Sequence, residues 1–305
     1  MARLFVMTGI PGSGKSYHSK KIAERENAKI YSSDLFRAHL KMDASNDLQN
    51  DTLFDMMYAA IRRELDQGQD IVLDATNTYA KYRRKIFRAV EGSNAELICV
   101  LVMRRLENCL EANRQRKNPI REEVILNMYR DYDLPYYNEP WDRIEVIYPD
   151  NDETSLGYYL DDKEKYMDFP HDNPHHAETL GVHINLVMEK LRGADERLIV
   201  AAALHDCGKP YTKSFVNAKG EVTPIAHYYM HEHVGSYMTM FYDFGNHDME
   251  YKLYIAFLVA MHMRPFVWEK SEKAKNRDQR TMKKEWIVSI LQLHEADIKS
   301  SIPVR

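Results

Sequence analysis

Gly9-Ile10-Pro11-Gly12-Ser13-Gly14-Lys15-Ser16 sets three glycines, a lysine and a hydroxyl at the spacing G-x-x-x-x-G-K-[ST]. That combination handles phosphate. The glycines let backbone N–H groups turn inward, Lys15 reaches the β/γ oxygens of ATP or another NTP, and Ser16 offers its hydroxyl to Mg2+. A second set of chemistry-bearing residues lies in the other half of the chain, where His205-Asp206 stands among His183, His231, His262 and Asp297. Imidazole and carboxylate donors with open positions suit divalent transition metals, and Mn2+, Ni2+, Co2+, Fe2+ and Zn2+ all qualify. A phosphate-binding loop puts a phosphoryl group on, whereas a His-Asp metal site takes one off. A chain with both is expected to remodel a phosphorylated end.

These residues need elements to hold them. Leu4-Phe5-Val6-Met7 is an apolar run ending at the glycine loop, as expected of a buried parallel strand, and a helix follows from Ser16. Ile71–Leu73, Leu97–Val102 and Ile144–Tyr148 read as further strands with helical stretches between them. The expectation is an α/β P-loop domain, a parallel sheet with helices on both faces. After Tyr148 the texture changes. Pro149–Glu153 is polar turn material, and beyond it only helical stretches are legible, at 176–191, 197–206, 251–263 and 286–298. Eleven of the thirteen histidines follow residue 170. The division expected is 1–152 for the α/β domain and 153–305 for an all-α domain.

Composition bounds the setting. The 305 residues suffice for two domains, and 44% hydrophobic with 29% charged residues is ordinary for a globular protein. No apolar run approaches the roughly 20 residues of a membrane span. Three cysteines make no disulfide framework, which points to a reducing cytoplasm. Net charge is −4, so no global excess of cations argues for nucleic acid, yet Lys81–Arg121 holds eleven Lys/Arg against four acids. That stretch would hold a polyanion, or equally form solvated helix faces. As a nucleic-acid surface it predicts affinity that weakens as salt rises.

An acceptor site separates a kinase from an ATPase. Asp34 lies where a second strand should end, on the catalytic edge of an open sheet, and would take the proton from an attacking hydroxyl. Arg37, three residues on, shares a helix face with it and could clamp a phosphate. Asp34 would serve equally as a helix cap. Asp74, in Asp74-Ala75-Thr76-Asn77, could orient Mg2+-bound water, and Arg114 and Arg116 fit a lid over the transferring phosphoryl group, or simply a basic loop. These elements together resemble the kinase domain of 5′-OH polynucleotide kinases over about the first 150 residues. The resemblance implies Asp34 as general base, Arg37 on the phosphate beside the acceptor nucleotide, and Arg114 and Arg116 as contacts to ATP.

In the second half, the order His183, His205-Asp206, His231, His262, Asp297 resembles the HD phosphohydrolase superfamily. Leu204-His205-Asp206-Cys207-Gly208-Lys209-Pro210 is similar to the HD domain attached to bacterial CCA-adding enzymes. The likeness implies one metal on His183, His205, Asp206 and Asp297, with Asp206 bridging to a second on His231 and His262. Two metals about 3.5–4 Å apart would activate water and stabilise a leaving oxygen. Lys209 would contact the scissile phosphate or lie as a solvated helix end. His171, His175, His176, His227, His233, His247 and His294 remain outside the set, with His175 or His176 lining the cleft.

The leading expectation is end healing of RNA or DNA. The kinase would phosphorylate a 5′-OH, the HD domain would open a 2′,3′-cyclic phosphate and remove what remains, and a ligase would join the ends. The alternative is a nucleoside or small-molecule kinase fused to an HD nucleotidase. A third reading is a switch that senses ATP and a signalling nucleotide, against which Asp34 and Arg37 argue, since a sensor needs no acceptor base.

Overall fold

The computed structural model describes residues 1–41, 46–151, 154–155 and 163–303. It forms two compact units, one of residues 1–129 with 139–151 and the other of 130–138 with 152–305. The polar segment expected as a linker lies partly outside the described residues, at Asp152 and Glu153.

In the first unit, β1 (Ala2–Thr8), β2 (Lys29–Ser32), β3 (Ile71–Asp74), β4 (Ala95–Val102) and β5 (Arg143–Ile147) form one sheet in the order β2-β3-β1-β4-β5. Every pairing is parallel, with Phe5 beside Val72 and Ile98. Helix α1 (Lys15–Glu26) links β1 to β2, and α2 (Ser33–Leu40) with α3 (Asp47–Asp66) return to β3. Helix α4 (Ala80–Val90) then leads to β4, and α5 (Leu106–Arg114) with α6 (Glu122–Arg130) lead towards β5. The chain moves one way across the sheet from β1 to β2 and the other way thereafter. Right-handed crossovers therefore place α1 on one face and the later helices on the opposite one. Phe5, Met7, Val72, Ile98, Val100 and Val102 pack on Ile22 and Ala23 of α1. The alternate residues Leu4, Val6, Cys99 and Leu101 are equally buried, so the second face is covered too. This is why the strands read as unbroken apolar runs rather than alternating ones. Strand β2, which no such run marks, lies at the sheet edge with only Ser32 buried.

The second unit is mostly helical. Its helices are α7 (Leu180–Lys190), α8 (Glu196–Leu204), α9 (Lys209–Thr212), α10 (His231–Thr239), α11 (Met249–Met261), α12 (Arg264–Lys270), α13 (Glu272–Gln279) and α14 (Lys284–Ser300). Helix α11 is the axis of the core: Leu253, Ile255, Ala256, Phe257, Leu258 and Val259 are all buried, leaving it apolar around most of its circumference. Helices α8, α10 and α14 pack on it, and α7 packs on α8 and α14. Segment 130–138 also belongs here: Tyr132 meets the ring of Tyr237, and the Tyr136 hydroxyl bonds the Ser236 hydroxyl and the Ala256 carbonyl.

The expectation of helices alone misses two small pairings. Strand β6 (Thr154–Ser155) runs parallel to β9 (Tyr242–Asp243), and β7 (Ser214–Val216) pairs antiparallel with β8 (Val222–His227). The β7–β8 hairpin leaves both faces largely in water, and a strand with no buried face has no hydrophobic alternation to read. Among the described residues no helix is long and apolar enough to cross a membrane.

Candidate functional site

The glycine loop joins the end of β1 to α1. Gly9, Gly12 and Gly14 have φ of 154°, 86° and 95°, the left-handed range that lets consecutive N–H groups face one concavity. Gly12 is required by space as well, because a Cβ there would lie 2.1 Å from the Cys109 carbonyl oxygen. Arg104 holds the loop from behind, donating from Nη1 to Gly12 O at 3.1 Å while Nε and Nη2 grip Asp150 at 2.7 and 3.0 Å. The Ser13 hydroxyl is buried with no partner. Lys15 donates to Ile10 O at 2.9 Å and forms no ion pair among the described residues. Burial lowers its pKa to about 8, with the Asp74 carboxylate pulling the other way. A buried cation with no ion pair among the described residues, at the foot of a glycine loop, fits a nucleotide phosphate. Ser16 is exposed in the first turn of α1, and Asp74 is buried at the end of β3. The residues present thus fit Mg2+ and a triphosphate.

Asp34 follows β2 directly, in the first turn of α2, with its side chain 75% exposed. The N-cap position of α2 is Ser32, two residues before Asp34. Arg37 donates to Asp34 at 3.2 Å and to Asn50 at 3.0 Å, and its Nε is buried without a partner. At the end of α5, Arg114 is held by Glu122 at 2.7 Å and Glu111 at 3.5 Å, while Arg116, just beyond it, is exposed and near enough to help lower the Lys15 pKa. Asn113 clasps the loop between them, exchanging hydrogen bonds with both backbone groups of Ile120.

In the second unit five helices deliver six residues to one point. His183 comes from the first turn of α7, and His205 and Asp206 follow the end of α8. His231 opens α10, His262 closes α11, and Asp297 comes from α14. Gly208 makes the convergence possible, because a Cβ there would lie 2.1 Å from His231 O. His205, His231 and His262 each give Nδ1–H to the carbonyl three residues back, at 2.7, 2.8 and 2.7 Å, and so turn Nε2 inward to the centre.

Two ligand groups result, His183/His205/Asp297 and Asp206/His231/His262. Asp206 joins them. Its Oδ2 lies 3.6 Å from His183 Nε2 and 3.3 Å from His205 Nε2, and its Oδ1 lies 3.2 Å from His231 Nε2 and 3.8 Å from His262 Nε2. His231 and His262 present Nε2 to Nε2 at 3.1 Å, a spacing that a shared proton or a metal ion between them would satisfy. His205 Nε2 and Asp206 Oδ2 are buried with no hydrogen-bond partner. Donors bonded to an ion at roughly 2.1 Å stand about 3–3.5 Å from each other, so these spacings fit metal ions. Burial draws the His205 imidazole down, but Asp206 and Asp297 outweigh it and push its pKa up to about 10. Burial would raise Asp206 and Asp297, yet the facing histidines hold both well below the carboxylate range.

Lys209, 7% exposed, forms an ion pair with Asp206 at 2.6 Å and faces His171 Nε2 at 3.5 Å with the Tyr228 ring 5.5 Å away, so it is part of the site and not a solvated end. Behind it lies a group of which the sequence reading named only His176, as an alternative to His175, for the cleft. His171 is buried and stacked on His176, which bonds Glu178 at 2.7 Å, and Glu178 lies 3.4 Å from His183 Nδ1. Glu178 is placed to orient a ligand histidine. It sits in a loop five residues before His183, where no periodicity marks it. His175 is exposed, and His233 bonds Tyr132 O away from the centre.

Residues 4–135 match the model of the AAA domain and residues 175–292 that of the HD domain. The chain therefore joins a P-loop, kinase-like domain to an HD domain, a nucleotide-binding fold to one that takes divalent metals. It is 26% identical over 148 residues, 47% of its length, to "L-seryl-tRNA(Sec) kinase" of Methanococcus maripaludis, and 21% identical over 152 residues, 46%, to "Protein kti12" of Schizosaccharomyces pombe. The chain spans just over half the length of these relatives, 57% and 54%. Among solved structures, the Pnkp1/Rnl/Hen1 RNA repair complex is similar at 19% identity and a TM-score of 0.39, over 42% of each chain.

Proposed function

We propose that this protein heals nucleic-acid ends, with a kinase unit over 1–152 that phosphorylates a 5′-OH and an HD unit over 153–305 that clears 2′,3′-cyclic, 2′- and 3′-phosphates. The observation that carries the reading is Asp34, an open carboxylate at the catalytic sheet edge with Arg37 on its flank. An ATPase or a sensor has no use for that pair. Asp34 accepts the proton of the attacking hydroxyl, Arg37 holds the phosphate beside it, and Lys15 with Arg116 carries charge on the transferred group. Bound Mg2+, on Ser16 and by way of Asp74, would neutralise the donor phosphates. In the HD unit His183, His205, Asp206, His231, His262 and Asp297 would hold two metals, which supply an activated water and a Lewis acid at the leaving oxygen. Lys209 contacts the scissile phosphate, held in place by Asp206 and His171. The products, 5′-phosphate and 3′-OH, are what a polynucleotide ligase joins. Three free, buried cysteines agree with a cytoplasmic setting.

The competing reading, a nucleoside or small-molecule kinase with an HD nucleotidase, predicts an acceptor enclosed by the protein, whereas Asp34 is three-quarters exposed. Phosphoryl transfer from ATP to a 5′-OH RNA, measured beside free nucleosides, decides between them. Asp34→Ala is expected to lose about 10²–10⁴-fold in transfer while still binding ATP. Transfer to nucleosides alone would favour the competing reading, and an active Asp34→Ala would remove the base.

A further inference from the structure

Helix α4 has no acidic residue between Ala80 and Val90, and its outer face carries Lys81, Arg84, Lys85 and Arg88. Arg84 and Arg88 make no ion pair among the described residues, and Lys85 is shared with Asp51 at 2.8 Å. At the head of the helix Tyr79 and Tyr82 meet edge to face at 5.6 Å, with Tyr82 41% exposed. Lys81 Nζ lies over both rings, 5.3 and 4.9 Å from their centroids. The face is tied to the acceptor end of the kinase site by two successive residues of α3. Asn50 takes Arg37, which holds Asp34, and Asp51 takes Lys85. Besides Asp51, the acid of α3 that faces this surface is Asp55.

From this placement we infer that α4 is the track for the acceptor strand. The strand is single-stranded nucleic acid whose 5′ end sits at Asp34, whose next base stacks on Tyr82, and whose phosphates follow Lys81, Arg84 and Arg88. An aromatic ring with an attendant cation receives any base, and a row of unpaired cations at one helix face receives the backbone, so the surface reads length rather than sequence. Aliphatic or acidic partners would leave the cations or the rings unused. This rests on the end-healing reading and adds to it a surface outside the reacting atoms.

The test compares a 5′-OH 12-nucleotide RNA with a nucleoside 3′-phosphate, too short to reach α4, as acceptors and, by anisotropy, as ligands. In Tyr82→Ala and in Arg84→Ala/Arg88→Ala, the Kd and KM for the 12-mer are expected to rise roughly 10-fold, as loss of one stacked base or two phosphate contacts requires. KM for the nucleotide should stay at the wild-type value. The double variant should also flatten the dependence of log K on log salt by about 0.7 per lost contact. Unchanged 12-mer affinity with normal transfer would overturn the track and leave the end-healing reading intact. Wild-type protein that binds the 12-mer through α4 but phosphorylates neither acceptor would sink that reading while the surface stands.

Discussion

Gly208→Ala is a small change aimed at the backbone that sets the metal site. Gly208 has φ −79° and ψ −15°, a conformation alanine adopts freely, so the substitution strains nothing by itself. The cost comes from space. Its Cβ would lie 2.1 Å from His231 O, 2.8 Å from Gly235 N and 2.9 Å from His231 C, all backbone atoms that cannot rotate away. An unstrained carbon–oxygen contact needs roughly 3.3 Å, so the start of α10 must retreat by about 1 Å from the turn holding His205 and Asp206. His231 Nε2 stands 3.2 Å from Asp206 Oδ1. Ligand spacing tolerates only about 0.2 Å of error per bond, and a 1 Å retreat takes His231 out of the shared group. The expected result is loss of one of two metals after dialysis, measured by mass spectrometry, and at least about 100-fold loss of phosphoesterase activity. Forcing the turn apart should also destabilise the HD unit by roughly 1–3 kcal/mol. Kinase activity is the internal control. Gly220→Ala is the matched comparison, since φ there is 84° but a Cβ meets nothing within 4 Å. It should lose comparable stability and keep both metals. A Gly208→Ala protein with two metals and full activity would refute the argument that backbone contact sets the site.

Two further predictions concern the kinase unit. Arg83 is fully buried, bidentate on Glu139 and donating to Asn77 O, so Arg83→Ala should cost about 3–5 kcal/mol in urea unfolding, whereas Arg83→Met with Glu139→Leu should recover most of it. Lys15 has a folded pKa of about 8 against 10.5 for an ordinary lysine, so the unfolded chain binds more protons between those values. Lys15 should therefore contribute a rise in stability between pH 8 and 10.5 of up to about 3 kcal/mol, opposed by the raised pKa of the buried Cys99, Cys109 and Cys207 thiols, so Lys15→Met should be more stable at pH 7 and lose its advantage over the parent as pH rises. Parallel profiles for the parent and Lys15→Met would mean that Lys15 is not held in a desolvated place.

The legible parts of this molecule were those whose signal is local. The glycine loop announces itself because backbone geometry admits few other residues, and the buried strands because parallel sheets bury both faces. The six HD-side residues lie far apart in the chain but each opens or closes a helix or sits on an apolar one, and the order alone brought them together as candidates. What stayed hidden depends on contacts without periodicity. Glu178, His171 and His176 lie in a loop whose only pattern is composition. Arg83 with Glu139 and Arg104 with Asp150 join residues 56 and 46 positions apart. Residues 130–138 precede β5 in the chain yet pack with the second unit, which no reading of neighbours along the sequence would foresee.

The most direct measurement uses one short RNA with a 5′-OH and a 2′,3′-cyclic phosphate, incubated with ATP, Mg2+ and Mn2+ or Ni2+ and resolved by mass. The account predicts a 5′-phosphate gained unless Lys15 is alanine, and a 3′-terminal phosphate lost unless Asp206 is alanine, each change independent of the other. An RNA that emerges with both ends unaltered would contradict it.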